Sequence, residues 1–204
     1  MKQVAGLQIW ADNLGNLFNQ HDEPILQLVS HKSKYRSIFV PKTNKIYYSH
    51  RLIYFAHFNE RDIPSFYTTI DHINRNPLDN RPSNLRALST NLQNLNRTFE
   101  KGYRISNGLF CPRLRYLKEP YYLGRYQTPE KATYIYKTVK QLLFDVIYEN
   151  EMRTLERFIV SNQLVNDLVR QANEMFTTTI VTTAPNLHRS NNRSSERRPS
   201  FNSA

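Results

Sequence analysis

The sequence predicts an α+β fold made of small sheets and separate helices. Short runs rich in Ile, Val, Phe, Tyr and Thr alternate with Asn, Gly and Pro turns, and other stretches place apolar residues three and four positions apart. The 204 residues carry a formal net charge of +11, which favours nucleic acid or another anionic surface as a partner. We expect five consecutive parts: a β-rich segment at 1–66, a strand–loop–helix core at 67–100, a three-stranded sheet plus helix at 101–150, a helical extension at 151–176 and a disordered tail at 177–204.

The β-rich segment contains two turn signals and one helix signal. Asn13, Leu14, Gly15 and Asn16 lie between apolar runs and indicate a hairpin. A second pair of strands is expected at 35–40 and 45–48, joined by a turn at 41–44. Residues 50–58 have the apolar spacing of a short helix.

The C-terminal half contains three strand signals followed by helix signals. We expect strands at 102–105, 109–117 and 121–126, and a helix that begins at Pro129 after Thr128. Apolar residues at helical spacing continue from 141 to 176, so we expect the helix to continue there. This periodicity is lost after Thr177, and the Ser-, Asn- and Arg-rich end of the chain indicates disorder.

Cysteine content and hydropathy indicate in which cellular compartment the protein could work. Cys111 is the single cysteine, which excludes an intramolecular disulfide and a Cys-based zinc site and is compatible with a reducing cytoplasm. No apolar run approaches about 18 residues, and the N-terminus lacks a charged-then-apolar pattern. We therefore expect neither a membrane span nor export.

The stretch from Thr69 to Arg97 contains most of the residues that could bind a metal or act as a general base. Asp71 and His72 are expected at the end of a short strand, before a long polar loop at 74–82 and a helix capped by Ser89 or Thr90. A carboxylate such as Asp71 is a hard oxygen ligand for Mg²⁺, and a helix amide could supply a second ligand. The neighbouring imidazole of His72 could act as a general base on water. A metal and a base on opposite sides of a phosphate are what phosphodiester hydrolysis requires.

These residues resemble the HNH endonuclease motif of phage and intron homing enzymes. The matching parts are the Asp-His-Ile-Asn run at 71–74, Asp-Asn-Arg at 79–81, Asn-Leu-Arg at 84–86 and Gln-Asn-Leu-Asn-Arg at 93–97. The resemblance implies a ββα-metal (HNH) core in which His72 is the general base, Asp71 a metal ligand and Asn84 the residue that braces the loop and orients the base. The last motif position is an amide here. Counting from Asp71 gives Gln93, whereas residue type favours Asn94, and a one-residue step of about 100° allows only one of them to face the metal.

The segment from residue 102 to 144 resembles the DNA-binding domain of plant ethylene-response factors, which has three strands and a helix. The matching pattern is Leu-Gly-x-Tyr-x-Thr-x-Glu-x-Ala from 123 to 132, followed by Tyr136. The resemblance implies that the sheet face lies on the DNA major groove, and its candidate contacts are Arg104, Arg113, Arg115, Tyr116 and Arg125. Ten Lys and Arg residues against three Glu between 97 and 140 support a basic unit here.

Together, these features predict a homing-type DNA endonuclease that uses a single Mg²⁺ (or Mn²⁺) and a His base. We expect double-stranded DNA as the substrate, a monomer or homodimer as the active form, and the cytoplasm of a bacterial host as the compartment if the gene belongs to a phage. The alternative is a catalytically inactive, sequence-specific DNA-binding protein, which Gln93 at the counted metal position keeps open. An RNA-binding module is less favoured, because no RNA-specific aromatic motif is visible.

Overall fold

The computed structural model describes residues 1–29, 33–58, 64–97 and 102–183. In these ranges the chain forms four small antiparallel sheets and four α-helices. This mixture of small sheets and separate helices agrees with the predicted class. Among the described residues, none of the helices combines the length and apolar character needed to cross a bilayer.

The N-terminal segment consists of two three-stranded sheets and one helix. The first sheet contains β1 (Lys2–Gln3), β2 (Trp10–Ala11) and β3 (Leu17–Phe18); the second contains β4 (Leu28–Val29), β5 (Arg36–Val40) and β6 (Lys45–Tyr48); the helix is α1 (Ser49–His57). The predicted hairpin at 13–16 is confirmed by the pairing of β2 with β3, and the predicted turn at 41–44 by the pairing of β5 with β6. The helix expected at 50–58 is confirmed to within one residue at each end.

The β2–β3 turn packs against the polar loop that lies later in the chain. Gly15 has a φ of 85°, and a Cβ built there would lie 2.7 Å from the carbonyl carbon of Asn80. Glycine alone accommodates both the positive φ and this close approach at low cost. The N-terminal sheet therefore supports the backbone of the loop that carries Asn80.

The central part is a two-stranded hairpin followed by a helix. Its elements are β7 (Thr69–His72), β8 (Leu85–Leu88) and α2 (Thr90–Asn96), with a 3₁₀ turn at Pro82–Asn84 before β8. The strands pair antiparallel, so that Asp71 lies opposite Arg86. Ser89 caps α2, because its Oγ accepts a hydrogen bond from the backbone N–H of Leu92 at 3.2 Å. The predicted order of strand, polar loop, short return and helix is confirmed.

The C-terminal half consists of one sheet and two long helices. The sheet contains β9 (Tyr103–Ser106), β10 (Leu109–Tyr116) and β11 (Glu119–Tyr122), and the helices are α3 (Pro129–Thr154) and α4 (Asn162–Thr183). The expectation of continuous helix from 141 to 176 is wrong, because Leu155 adopts a left-handed conformation, with a φ of 56°, that ends α3. The tail expected from 177 is helical as far as Thr183, and the rest of it lies outside the described residues.

Helix α3 joins the central hairpin to the C-terminal sheet through a buried carboxylate. Glu151, which is fully buried near the end of α3, accepts hydrogen bonds from the Tyr67 hydroxyl at 3.0 Å and the Tyr116 hydroxyl at 3.1 Å. It also accepts one from the backbone N–H of Phe158 at 3.1 Å. Burial and the Glu151 carboxylate raise the pKa of both tyrosines above the usual range, so both remain hydroxyl donors. The boundary expected between 150 and 151 thus falls inside α3, beside a residue that connects three parts of the chain.

Replacing Glu151 by Ala should destabilise the fold by about 3 kcal/mol, because it leaves two buried hydroxyls and one backbone N–H without an acceptor. For a chain of this size that corresponds to roughly 6–12 °C in the melting temperature. Glu149→Ala is the matched control, since Glu149 is on the same helix but exposed. Thermal unfolding followed by circular dichroism measures both variants. Equal melting temperatures for the two would show that the buried network contributes no stability.

Candidate active site

The end of β7 opens onto a cavity of about 310 Å³ next to α2. Asp71 and His72 both line it, together with Gln93 and Asn96 from α2 and Tyr35 from the segment before β5. Neighbouring residues on a strand point to opposite faces, but at a strand end both can reach the same opening. The structure therefore brings the predicted carboxylate, imidazole and Gln93 amide to one place.

The Asp71 carboxylate is held by three side chains. On Oδ2 it accepts hydrogen bonds from Arg86 Nε at 3.0 Å and Asn96 Nδ2 at 3.1 Å, and Arg86 Nη2 also lies 3.0 Å away. On Oδ1 it accepts a longer bond, 3.3 Å, from Gln93 Nε2. Oδ1 is thus the less tightly held oxygen and faces the Gln93 amide.

Arg86 is itself fixed from behind by helix α3. Its guanidinium lies 4.6 Å from the ring centroid of Phe144 and 5.8 Å from that of Tyr148. Cation–π contacts of this kind restrict a long side chain as well as attract it. The position of Asp71 therefore depends on a β8 residue that is packed against α3.

The His72 imidazole is buried and has one polar side-chain partner, Asn80. His72 Nε2 lies 3.0 Å from Asn80 Oδ1. An amide oxygen only accepts hydrogen bonds, so the tautomer that makes this contact a hydrogen bond carries its proton on Nε2 and its lone pair on Nδ1. A neutral imidazole with a lone pair on one nitrogen and a fixed donor on the other is the form that a general base requires.

A second imidazole, that of His50 on α1, lies beside His72. The two ring centroids are 5.2 Å apart, and the Tyr35 ring lies 5.0 Å from His50 and 5.9 Å from His72. Burial, followed by the neighbouring His72 and Arg51, lowers the pKa of His50 to about 4. His50 is therefore neutral near pH 7 and packs against His72 without adding charge.

Asn84 braces the polar loop but does not contact the imidazole. Its Oδ1 accepts from the backbone N–H of Asn74 at 2.9 Å, and its Nδ2 donates to Asn74 Oδ1 at 3.0 Å and to the Asp79 carbonyl at 2.7 Å. The direct partner of His72 is Asn80, on the loop that Asn84 holds. Asn84 is thus hydrogen-bonded to both ends of this loop, and any orientation of His72 by Asn84 must act through the loop.

Asn94, the other amide considered for the metal, lies elsewhere. It is exposed and lines a larger groove of about 730 Å³ rather than the cavity of Asp71. Gln93, one residue earlier on α2, faces Asp71 instead. A one-residue step along a helix turns a side chain by about 100°, which explains why only one of the two reaches the site.

The larger groove, which we call the basic groove, contains most of the predicted DNA contacts. Arg104, Arg113 and Arg115 line it, and Arg125 is exposed but outside its lining. Tyr116 also borders this groove, but its side chain is 2% exposed and its hydroxyl donates to Glu151, so it packs in the core and offers little surface to DNA. Position 116 faces α3 because side chains alternate along β10.

Four residues near the site had no functional role in the sequence analysis: His50, Asn80, Arg86 and Asn96. Three of them lie inside the quoted motif. Strand register would have found Arg86, which is directly opposite Asp71, and helical spacing would have found Asn96, three residues after Gln93. For His50, the only sequence signal was its position on a predicted short helix, which does not indicate that it lies beside His72.

The donor groups around Asp71 fit a hard divalent ion. Gln93 Oε1 is buried and has no hydrogen-bond partner, although the same amide lies next to Asp71 Oδ1. A carboxylate and an amide oxygen are donors that Mg²⁺ and Mn²⁺ accept, and Mg²⁺ usually keeps several waters besides. Within the described residues no group of three or more His, Cys, Asp or Glu side chains could enclose a metal.

Two comparisons with known proteins found a similarity. Residues 47–95 match the family model described as HNH endonuclease. A solved structure described as DNA binding and cleavage by the HNH homing endonuclease I-HmuI is similar at 19% identity and a TM-score of 0.38, over 47% of this chain and 55% of that one. The chain thus spans about half the length of that protein, and no curated protein matches the sequence. The family match ends before the C-terminal sheet, so the likeness of 101–150 to ethylene-response factors stays a prediction. The part of the chain that is similar to HNH endonucleases is therefore residues 47–95, which include β7, β8 and most of α2.

Proposed function

We propose that this protein is a metal-dependent endonuclease that hydrolyses phosphodiester bonds of double-stranded DNA. The observation that carries the proposal is the convergence of Asp71, His72 and Gln93 on one cavity. All three lie within the segment that matches the HNH endonuclease family model, which supports a nuclease. The core would then be the ββα-metal arrangement, with β7 and β8 as its strands and α2 as its helix.

His72 is the proposed general base. Nδ1 takes the proton from a water that attacks the phosphorus, while Nε2 keeps its hydrogen bond to Asn80 Oδ1. The neighbouring rings of His50 and Tyr35 pack against the imidazole and limit its rotation. General base catalysis from a positioned imidazole contributes about 100- to 10,000-fold in rate.

Asp71 and Gln93 are the proposed metal ligands, for Mg²⁺ or Mn²⁺. When bound, the ion would neutralise the charge that develops on the phosphate and on the leaving 3′-oxygen. Arg86 and Asn96 hold Asp71 Oδ2, which leaves Oδ1 on the side of Gln93. Rotation of the Gln93 amide would bring its unpartnered Oε1 to the same side.

The proposed contacts to DNA are the arginines of the basic groove, Arg104, Arg113 and Arg115, together with the exposed Arg125. Guanidinium groups bind phosphates and guanine edges, and such contacts make affinity strongly dependent on salt. With one HNH centre per chain, a monomer nicks one strand, whereas a homodimer could cut both. The homing type, encoded by a phage or an intron, is part of this proposal.

A second candidate is a DNA-binding protein without catalysis. The observation that favours it is the Asp71–Arg86 ion pair, because a cation already occupies the carboxylate that would bind the metal. A metal ion would then have to compete with the guanidinium for one oxygen or bind to the other.

Plasmid cleavage with and without metal separates the two candidates. Supercoiled plasmid should become open-circular with Mg²⁺ or Mn²⁺ and stay supercoiled with EDTA, because EDTA removes the ion that Asp71 and Gln93 would hold and with it the charge stabilisation that the ion would supply. Gel-shift binding of the same plasmid in EDTA should persist. Binding without conversion in either metal would instead identify a DNA-binding protein, and direct conversion to linear plasmid would indicate a dimer.

A further inference from the structure

A smaller cavity of about 260 Å³ lies between helix α3 and the loop that follows β7. We call it the bridging cavity, and its polar lining includes Arg75, Asn96, Lys137 and Lys140. Arg75 and Asn96 also line the cavity of Asp71 and His72, and Lys140 also lines the basic groove. The bridging cavity therefore lies between the candidate active site and the basic groove and shares walls with both.

The bridging cavity collects positive charge. Arg75, Lys137 and Lys140 line it, and none of the described residues in its lining is Asp or Glu. Burial, and then the charge of Arg75, lower the pKa of Lys140 to about 8. The Lys140 ammonium also donates to the Arg97 carbonyl and lies 5.7 Å from the centroid of the Tyr136 ring. An anion in the cavity would be attracted to all three cations.

The backbone of Arg75 is held in place by a hydrogen bond to His72, the proposed general base. It has a positive φ of 61°, which is uncommon for a residue other than glycine, and its N–H donates to the His72 carbonyl at 2.9 Å. The turn that presents Arg75 is thus anchored directly to the strand end that carries His72. A ligand held by Arg75 would lie next to the reacting phosphate.

We propose that the bridging cavity binds a backbone phosphate of the DNA strand that enters the active site. The inference rests on the proposed function, since it takes DNA as the ligand. Phosphates recur at a regular interval along a strand, so one strand can place successive phosphates in the basic groove, the bridging cavity and the active site. The DNA contacts expected from the sequence lie on the predicted strands, whereas this site adds α3.

Helix α3 offers a matched control for the charge. Lys137 and Lys140 are three residues apart and share a face, whereas Lys131 is nine residues from Lys140, about 180° around the helix. The Lys131 ammonium lies against the rings of Tyr126 and Phe176, on the side of α4. Lys131→Gln therefore removes one positive charge from the same helix without touching the bridging cavity, and it matches the single variant Lys137→Gln in charge.

The test is a salt titration of duplex binding in EDTA, where no cleavage occurs. A short, labelled, mixed-sequence duplex is bound by the wild type, by the double variant Lys137→Gln/Lys140→Gln and by Lys131→Gln, and fluorescence anisotropy is read at several salt concentrations. Loss of one phosphate contact should lower the slope of log affinity against log salt by about one in the double variant and leave Lys131→Gln unchanged. Lys140→Arg should keep the wild-type slope.

Equal slopes and affinities for the double variant and Lys131→Gln would overturn the phosphate site. If the double variant fails to fold, Lys137→Gln alone decides by the same comparison, because Lys137 is exposed. Plasmid cleavage by the wild type is measured in a separate experiment, which tests the nuclease activity independently of the bridging site. If the wild type cleaves plasmid and the double variant binds DNA as the wild type does, only the bridging site is contradicted. If the double variant shows the predicted change in slope and the wild type never cleaves plasmid, only the nuclease is contradicted.

Discussion

His72→Ala should lower the rate of DNA cleavage by between about 100- and 10,000-fold, the range expected for loss of a positioned general base. Binding of duplex DNA in EDTA should stay within about twofold, because His72 is buried and carries none of the basic groove's charge. The two results together separate a loss of chemistry from a loss of binding. Single-turnover cleavage of plasmid and anisotropy with a duplex provide the two measurements.

His21→Ala is the control for this experiment, since His21 is exposed in the N-terminal segment and lies outside the lining of the cavity. It should cleave at the wild-type rate. Added imidazole should partly restore His72→Ala, because a small base can enter the space left by the side chain. Wild-type rates for His72→Ala would remove His72 from the mechanism and with it the proposed reaction.

The local layout of the site could be predicted from sequence because its signals are local. The Asn-, Asp- and Pro-rich run at 74–82 forms the loop, and Ser89 caps α2 through its own Oγ. Turn residues and helix caps act over two to four positions, and one sequence displays them directly. The same reasoning located the β2–β3 hairpin and the start of α3 at Pro129.

The residues packed around Asp71 and His72 could not be predicted in the same way, because they come from distant parts of the chain. The approach of His50 to His72 depends on the packing of α1 against β7, and Arg86 reaches Asp71 only through the register of two strands. The end of α3 was missed for a related reason. Leu155 adopts a conformation that usually signals glycine, and the apolar spacing on either side continues as if one helix were present.

The site also depends on residues outside the segment that matches the HNH family. Arg86 orients Asp71, but Phe144 and Tyr148 of α3 hold Arg86. Tyr67, just before β7, is anchored to Glu151 of the same helix. Catalytic geometry tolerates displacements of only a fraction of an ångström. Helix α3 therefore acts as a common support for the site, the bridging cavity and the C-terminal sheet.

Asp71→Asn should reduce cleavage by more than about 100-fold in Mg²⁺, since even the loss of a residue that only orients a metal ligand costs about 10- to 100-fold. Asp71 is the sole carboxylate among the described residues that line this cavity. The substitution preserves the side-chain shape and removes one negative charge beside the DNA. Duplex binding in EDTA should thus be equal to that of the wild type or tighter, a result that unfolding would not give.

Adjacent variants on α2 then decide which amide completes the metal site. Gln93→Ala should raise the Mg²⁺ concentration needed for half-maximal cleavage several-fold, because it removes the amide beside Asp71 whose unpartnered Oε1 is the proposed ligand. Asn94→Ala should leave that concentration unchanged, since Asn94 faces the basic groove. Magnesium titrations of plasmid cleavage compare the two directly. A shifted requirement in Asn94→Ala with a normal one in Gln93→Ala would mean that α2 turns in the DNA complex, and the ligand assignment would pass to Asn94.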